Sequence, residues 1–246
     1  TLESGPFKDD YFESMPKNDW TLLVQGVDKH ILEVYEMIEE FNFIPRWRFD
    51  DVMVSFAAQG GSVGPHYDHY DVFLLQGLGS RHWEISSLDC NSNNYVKNSE
   101  LRIMESFREE DAFITEPGDI LYVPPGIAHH GTSLDTECIT LSFGYRSYSA
   151  NEMMEALNLK PHKSNIDYYI DPNWSTELGN AEISNSAVNQ ALELLNVDQL
   201  PTEFFGCFVT KLDLFDQQKI SEMMLFEEPI EIQASVSYVL SPICRI

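Results

Sequence analysis

The stretch Gly60-Gly-Ser-Val-Gly-Pro-His66-Tyr-Asp68-His-Tyr-Asp-Val-Phe73 decides the fold. Its glycines break the chain, and the run from Val72 to Gln76 that follows is β-rich. On an extended chain residues i and i+2 face the same way, so His66 and Asp68 present an imidazole and a carboxylate side by side while Tyr67 points elsewhere. A further histidine, His129, follows Pro124-Pro-Gly-Ile-Ala, directly after an expected strand and tight turn. Two histidines and one carboxylate on one face would hold a metal ion and leave adjacent positions open, the ligand set of non-heme Fe(II) oxygenases. H-x-D by itself is common, and a lone histidine on a strand is more often structural, so the expectation rests on the surrounding pattern.

Outward from that stretch, further short β-rich runs lie from Val52 to Phe56, His82 to Ile85, Ile120 to Val123 and Cys138 to Phe143, separated by GG, GLGS, EPGD and PPG. This spacing predicts an antiparallel sandwich or barrel. Asp89 to Ser99, rich in Asn and Ser, is expected to be an exposed inserted loop. Upstream, Ile31, Val34, Tyr35 and Ile38 follow Asp28 at helical spacing and stop before Pro45, which predicts an amphipathic helix capped by Asp28. Downstream, Ser149-Ala-Asn-Glu152 is a capping-box pattern leading into Met153 and Leu157, with a stop at Pro161. Val188, Ala191, Leu192 and Leu195 repeat the helical spacing, a stripe that serves packing within the chain or a dimer seam. From Leu212 a short helical pattern (Ile220, Met223, Met224) gives way to a period-two alternation, Ile230, Ile232, Ala234, Val236 and Tyr238.

Arg81 opens the run after the Gly77-Leu-Gly-Ser80 turn. Its planar, permanently charged fork suits bidentate grip of a dicarboxylate, and a surface arginine is the competing reading. Fifteen Lys plus Arg against forty Asp plus Glu give a net charge of −25. A phosphate backbone meets like charge here, so direct nucleic-acid binding is not expected, whereas a basic protein is attracted. The four cysteines, Cys90, Cys138, Cys207 and Cys244, lie far apart with no C-x-x-C pair, which predicts a reduced, cytoplasmic protein. No apolar run approaches the roughly 20 residues that span a bilayer, so no membrane association is expected. The chain begins at Thr1 rather than Met, and further sequence is expected before it.

The pattern resembles the JmjC-domain 2-oxoglutarate oxygenases, and among them the bacterial ribosomal oxygenases that hydroxylate an arginine of a large-subunit ribosomal protein. The resemblance is carried by Gly5-Pro-Phe, Asn18-Asp-Trp20-Thr-Leu-Leu-Val-Gln25, Pro45-Arg-Trp-Arg-Phe-Asp50-Asp-Val-Met, Gly64-Pro-His66-Tyr-Asp68-His-Tyr70-Asp71-Val-Phe, Gln76-Gly, Arg81-His-Trp83 and Glu116-Pro-Gly-Asp-Ile-Leu-Tyr-Val-Pro-Pro-Gly126. It is dense over the first 146 residues and loose over the helical half. It implies a mainly β fold with a helical C-terminal half: a double-stranded β-helix of the jelly-roll or cupin type over 1–147, a helical dimerisation domain over 148–211 and a partial winged-helix-like domain over 212–246. It also implies Fe(II), with 2-oxoglutarate and O2 as cosubstrates. His66, Asp68 and His129 fall on the iron ligands, Arg81 on the position binding the distal carboxylate of 2-oxoglutarate, and Ser142 on an assisting hydroxyl.

The family's Pro-Pro-Gly-x-x-His pattern selects His129 over His130, and adjacent residues on an extended chain face opposite ways. His30, His69, His82 and His162 are read as structural. Tyr70, Asp71 and Asp50 are candidates for the walls of a pocket receiving an arginine side chain. The leading expectation is hydroxylation of an arginine β-carbon on a basic ribosomal protein by a homodimer, with release of succinate and CO2. A histidine hydroxylase of another ribosomal protein, a cupin-type metalloenzyme that does not use 2-oxoglutarate, and a non-catalytic binding module are the rivals.

Overall fold

Nine strands are found among the described residues: β1 (Thr21–Val24), β2 (Phe49–Ala57), β3 (His66–Tyr67), β4 (Val72–Leu78), β5 (Arg81–Ser86), β6 (Asp111–Thr115), β7 (Ile120–Val123), β8 (Ala128–Ser133) and β9 (Cys138–Tyr145). They form a five-stranded sheet in the order β1-β2-β9-β4-β7 and a four-stranded sheet in the order β3-β8-β5-β6. The pairings of β1 with β2, β4 with β7 and β9, β3 with β8, and β5 with β6 and β8 are antiparallel. This is the expected mainly β sandwich of jelly-roll type. The computed structural model describes residues 2–41, 43–161, 167–171, 182–201 and 203–211. They fall into two compact units, one of residues up to Val27 with Asp50–Arg146, the other of Asp28–Phe49 with the described residues from Ser147 on. Residues 28–49 group with the helical half.

In the first unit the two sheets pack through alternate residues. Val72 and Leu74 of β4, Trp83 of β5 and Val123 of β7 form one buried cluster. Tyr67, facing away from His66, packs instead with Met104 and Ala128, and its ring stacks on Tyr95 at 5.5 Å. The segment expected to be an exposed loop is thus exposed over most of its length but pinned through Tyr95 behind strand β3. Strands β1, β6 and β8 lie outside the expected β-rich runs. Strand β8 reads Ala-His-His-Gly-Thr-Ser, with no apolar run to mark it, and it is held as a strand by partners on both sides.

The second unit contains α1 (Leu32–Met37), α2 (Ala150–Ala156), α3 (Asn185–Leu195) and α4 (Phe204–Val209). The start expected for α1 is corrected: Asp28 is buried in a 3-10 turn, and the helix begins after Ile31, which makes no side-chain cap. Ile31 itself is exposed, because the inward face begins only at Ile38 and Phe41. The capping box is present: Ser149 Oγ accepts from Glu152 N–H, and Ser149 N–H donates to Glu152 Oε2 at 2.8 Å. Ala187, Ala191 and Leu195 are the buried face of α3, packed with Trp47, Tyr148, Met153, Phe205 and Val209. Of the expected stripe, Ala191, Leu195 and, at its edge, Val188 are used in this packing, with Ala187 in addition and Leu192 outside the cluster. Arg48, also buried, forms an ion pair with Asp171. The helix-strand pattern from Leu212, the 212–246 domain, Cys244 and His162 lie outside the described residues.

Candidate metal centre

Strands β3 and β8 pair with His66 directly opposite His129, which brings the two imidazole ring centres to 4.3 Å. Asp68 follows one step past β3, and its Oδ2 lies 3.8 Å from His66 Nε2 and 3.9 Å from His129 Nε2. One donor atom from each of the three residues falls within 4.8 Å of the others. Gly126 fixes the approach of β8: its φ of +79° suits a residue without Cβ, and its N–H donates to the Asp68 carbonyl at 2.7 Å. The Pro-Pro-Gly turn is thereby tied to the backbone of the residue whose side chain completes the triad.

The rings are oriented by their other nitrogens. His66 Nδ1 lies 2.9 Å from the Gly64 carbonyl and His129 Nδ1 3.4 Å from the Ile127 carbonyl. With Nδ1–H donating to these acceptors, the Nε2 lone pairs face the carboxylate, the arrangement that metal-binding histidines adopt. Burial pushes the His129 imidazole down to about 3, and the neighbouring His66 pushes the same way. His129 therefore stays neutral with its lone pair available. Burial raises the Asp68 carboxyl, a shift opposed by His66 and by a hydrogen bond from Tyr70. The Tyr70 hydroxyl donates to Asp68 and is itself pushed up by burial and by the carboxylates of Asp68, Asp50 and Asp51.

A pH prediction follows from His129, whose folded pKa lies below its unfolded value of about 6.5. The unfolded chain binds the extra proton first, so this histidine's contribution is intact above about pH 6.5 and is lost as pH falls toward 3. In metal-free protein, His129→Gln should shrink the stability loss between pH 7 and pH 5 by about 2 kcal/mol. Urea titrations of both proteins at both pH values measure the difference.

His130 takes no part in the cluster: its Nδ1 lies 2.8 Å from Glu84 Oε2, on the opposite side of β8 from His129. His30 is exposed, while His69 and His82 are half-buried, and none of them joins the triad. Arg81 is 4% exposed, and its Nε and Nη2 have no hydrogen-bond partner. It projects from β5 on the same side as Trp83, whose ring centre is 5.9 Å from that of His129. Ser142, buried on β9 opposite Leu74, lines a cavity of ≈170 Å³ that also takes in His66, Asp68 and His129. Arg81 is not among that cavity's lining residues.

Of the candidate pocket walls, Asp50 and Tyr70 line this cavity, and Asp71 does not. Asp71 instead accepts a hydrogen bond from Tyr122 at 2.7 Å. The sequence reading missed Gln25, Asp51 and Met53. The Asp50-Asp51 doublet is a visible signal, but strand alternation puts only one of two neighbours on a given side, whereas both line the cavity. Asp50 accepts from Arg146 Nε at 2.7 Å and Asp51 from Gly26 N–H at 2.7 Å, so both are held within the unit.

Residues 36–153 match the family model of the JmjC domain. The chain carries a JmjC domain. It includes all strands from β2 to β9, and with them the triad, Arg81 and Ser142. A probable ribosomal oxygenase of Haemophilus influenzae is 38% identical over 155 residues, covering 63% of this chain and 38% of that protein. The ribosomal protein uL16 3-hydroxylase of Escherichia coli is 30% identical over 216 residues, covering 85% of this chain and 57% of the relative. The chain thus spans about half the length, or less, of these curated relatives. Among solved structures, the ribosomal oxygenase YcfD from Escherichia coli, in complex with cobalt and 2-oxoglutarate, superposes with a TM-score of 0.58 at 30% identity. That superposition covers 84% of this chain and 55% of YcfD. The three free cysteines among the described residues form no disulfide, and no described helix is long and apolar enough to cross a membrane.

Proposed function

We propose that this JmjC domain is an Fe(II)- and 2-oxoglutarate-dependent oxygenase that hydroxylates the β-carbon of an arginine in a large-subunit ribosomal protein. The observation that carries the reading is the pairing of a His66/Asp68/His129 donor set with a buried guanidinium, Arg81, that has donors to spare on the same inward side. The donor set fits a divalent iron, and the orphaned Arg81 donors fit the far carboxylate of a diacid. From the His129 register to that of Arg81, opposite Ser133, is four residues or about 13 Å, a gap that an arginine side chain and a five-carbon diacid together span. Ser142, on the cavity wall, can donate its hydroxyl to the same diacid. The relatives named as ribosomal oxygenase and uL16 3-hydroxylase support the substrate class.

When bound, iron with 2-oxoglutarate and O2 supplies the oxidising chemistry, yielding succinate and CO2 and placing one oxygen atom in a C–H bond. The protein's own tasks are geometric and electrostatic. His66 and His129 offer Nε2, and Asp68 offers a carboxylate oxygen whose orientation the Tyr70 hydroxyl fixes by donating to it. Val72 and Leu74 make part of the cavity wall apolar. Asp51 places negative charge in the cavity, the Asp50 charge being paired with Arg146, and this suits a guanidinium and does less for a neutral imidazole, favouring arginine over histidine as the target. Asp51→Asn is expected to raise the KM for a basic substrate peptide by about 10- to 100-fold, the cost of a weakened charge-assisted pair, while leaving 2-oxoglutarate binding unchanged. Peptide titration at saturating cosubstrate measures it; an unchanged KM would remove Asp51 from the substrate site.

The net charge of −25 supports a strongly basic protein partner and opposes nucleic acid. The scattered cysteines with no C-x-x-C pair support a cytoplasmic protein. The proposed oxygenase is a homodimer through the helical region 148–211. Because the buried stripe of α3 is already packed within its unit, the dimer contact must use other residues. Sedimentation velocity at micromolar concentration is expected to return the dimer mass, and a monomer would remove this part of the proposal.

A further inference from the structure

Trp83 shares the inward side of β5 with Arg81 and is 6% exposed. Three contacts meet on its indole. The Nε1–H donates to Thr115 Oγ1 at 3.2 Å, the Arg81 guanidinium carbon lies 5.6 Å from the ring centre, and the His129 ring centre lies 5.9 Å away. Strand β8 makes room with Gly131, which registers opposite Trp83: a Cβ at that position would fall 2.5 Å from the indole Cζ3. The ring therefore lies flat on the strand, between the registers of His129 and Ser133.

Thr115 belongs to a larger buried network. Its hydroxyl is 3.4 Å from Gln76 Oε1, which also accepts from Thr140 Oγ1 at 3.0 Å. Gln76 Nε2 donates to the carbonyls of Leu78 at 2.8 Å, Gly79 at 3.0 Å and Ile139 at 3.2 Å. The indole is thus hung from groups on β4, β6 and β9. Arg81 has the opposite character: its Nε and Nη2 find no hydrogen-bond partner, so the aromatic face is the contact that orients the fork.

We propose that Trp83, braced by Thr115 and Gln76, is a positioning residue that aims the Arg81 guanidinium at the diacid. The proposal rests on the reading of the site as one for Fe(II) and 2-oxoglutarate. A guanidinium left to choose among rotamers loses side-chain entropy when it grips a carboxylate, and a fixed aromatic platform meets that cost before binding. Removing the Thr115 hydroxyl without changing side-chain volume should therefore weaken 2-oxoglutarate and leave the metal alone.

The test is calorimetric titration of 2-oxoglutarate into the Fe(II)-loaded protein without O2, for the unmutated chain, Thr115→Val, Trp83→Phe, Arg81→Ala and the double variant Arg81→Ala/Thr115→Val. Thr115→Val and Trp83→Phe are each expected to weaken 2-oxoglutarate by about three- to tenfold, the worth of one buried hydrogen bond, with Fe(II) affinity unchanged. In turnover the loss appears in the KM for 2-oxoglutarate, while kcat at saturating cosubstrate holds. In the Arg81→Ala background Thr115→Val should add no further loss, because the brace acts through Arg81. Unchanged 2-oxoglutarate affinity in both single variants overturns the brace. An equal loss with and without Arg81 also overturns it, by showing a merely structural effect. A chain that binds Fe(II) but no 2-oxoglutarate, even unmutated, overturns the underlying reading of the site and the brace with it.

Discussion

His129→Ala is expected to abolish metal-dependent 2-oxoglutarate turnover. His129 is the most deeply buried of the three donors, 4% exposed at its side chain against 27% for His66 and 22% for Asp68. Its neutrality follows from that burial, so it contributes a lone pair without first losing a proton to solvent. With it gone, His66 and Asp68 remain as a two-point grip open to water on the vacated side, and ferrous iron is held poorly by such a pair. His66→Ala and Asp68→Ala should fail for the same reason. The informative control is His130→Ala. That side chain faces the other way and pairs with Glu84 in a half-exposed contact worth about 1 kcal/mol at most, so turnover should persist. Iron binding by each variant, followed alongside succinate formation, separates the two histidines. A dead His130→Ala beside an active His129→Ala would contradict the ligand assignment.

Arg81→Ala is expected to raise the 2-oxoglutarate requirement by roughly 30- to several-thousand-fold, corresponding to the about 2–5 kcal/mol lost when one partner of a buried charge pair is removed. The structure sharpens the expectation. Arg81 is buried with two donor nitrogens unpartnered, an arrangement that costs free energy unless an acceptor arrives. Iron binding should be almost untouched, since Arg81 lies outside the triad. Arg81→Lys should recover only part of the loss: an ammonium keeps the charge but not the planar fork, and it makes a poorer stack on Trp83. Cosubstrate titration at saturating iron decides. An unchanged dependence in Arg81→Ala would hand the dicarboxylate to another cation, such as Arg146, although that side chain already donates to Asp50.

The parts of this site that were legible in the sequence are those where short-range geometry does the work. His66 and Asp68 lie two residues apart, and an extended backbone alone puts them on one side. The choice of His129 over His130 came from the resemblance, through the Pro-Pro-Gly-x-x-His pattern; alternation added only that the two face opposite ways, as the His130–Glu84 contact illustrates. The capping box at Ser149 was equally local. What sequence could not supply was partnership between distant strands. Strand β8 has neither apolar run nor β-branched density, and it exists because β3 and β5 flank it. Asp51 became a pocket residue, and Asp71 a partner of Tyr122, through pairings that no local pattern encodes. The same holds for the start of α1, where Asp28 looked like a cap but is buried in the preceding turn. The network joining Gln76, Thr115 and Thr140 was invisible for the same reason, since each member reads alone as an ordinary polar strand residue.

The central claim, that the triad and Arg81 together serve the hydroxylation of an arginine, is tested most directly by one incubation. The chain is mixed with ferrous iron, 2-oxoglutarate and purified large-subunit ribosomal proteins, and the products are read by tandem mass spectrometry. The account predicts a single added oxygen on the β-carbon of one arginine, formed in step with succinate and lost in His129→Ala. Succinate formation with the oxygen on a histidine would contradict the assigned specificity, and no 2-oxoglutarate consumption by iron-loaded protein would contradict the account as a whole.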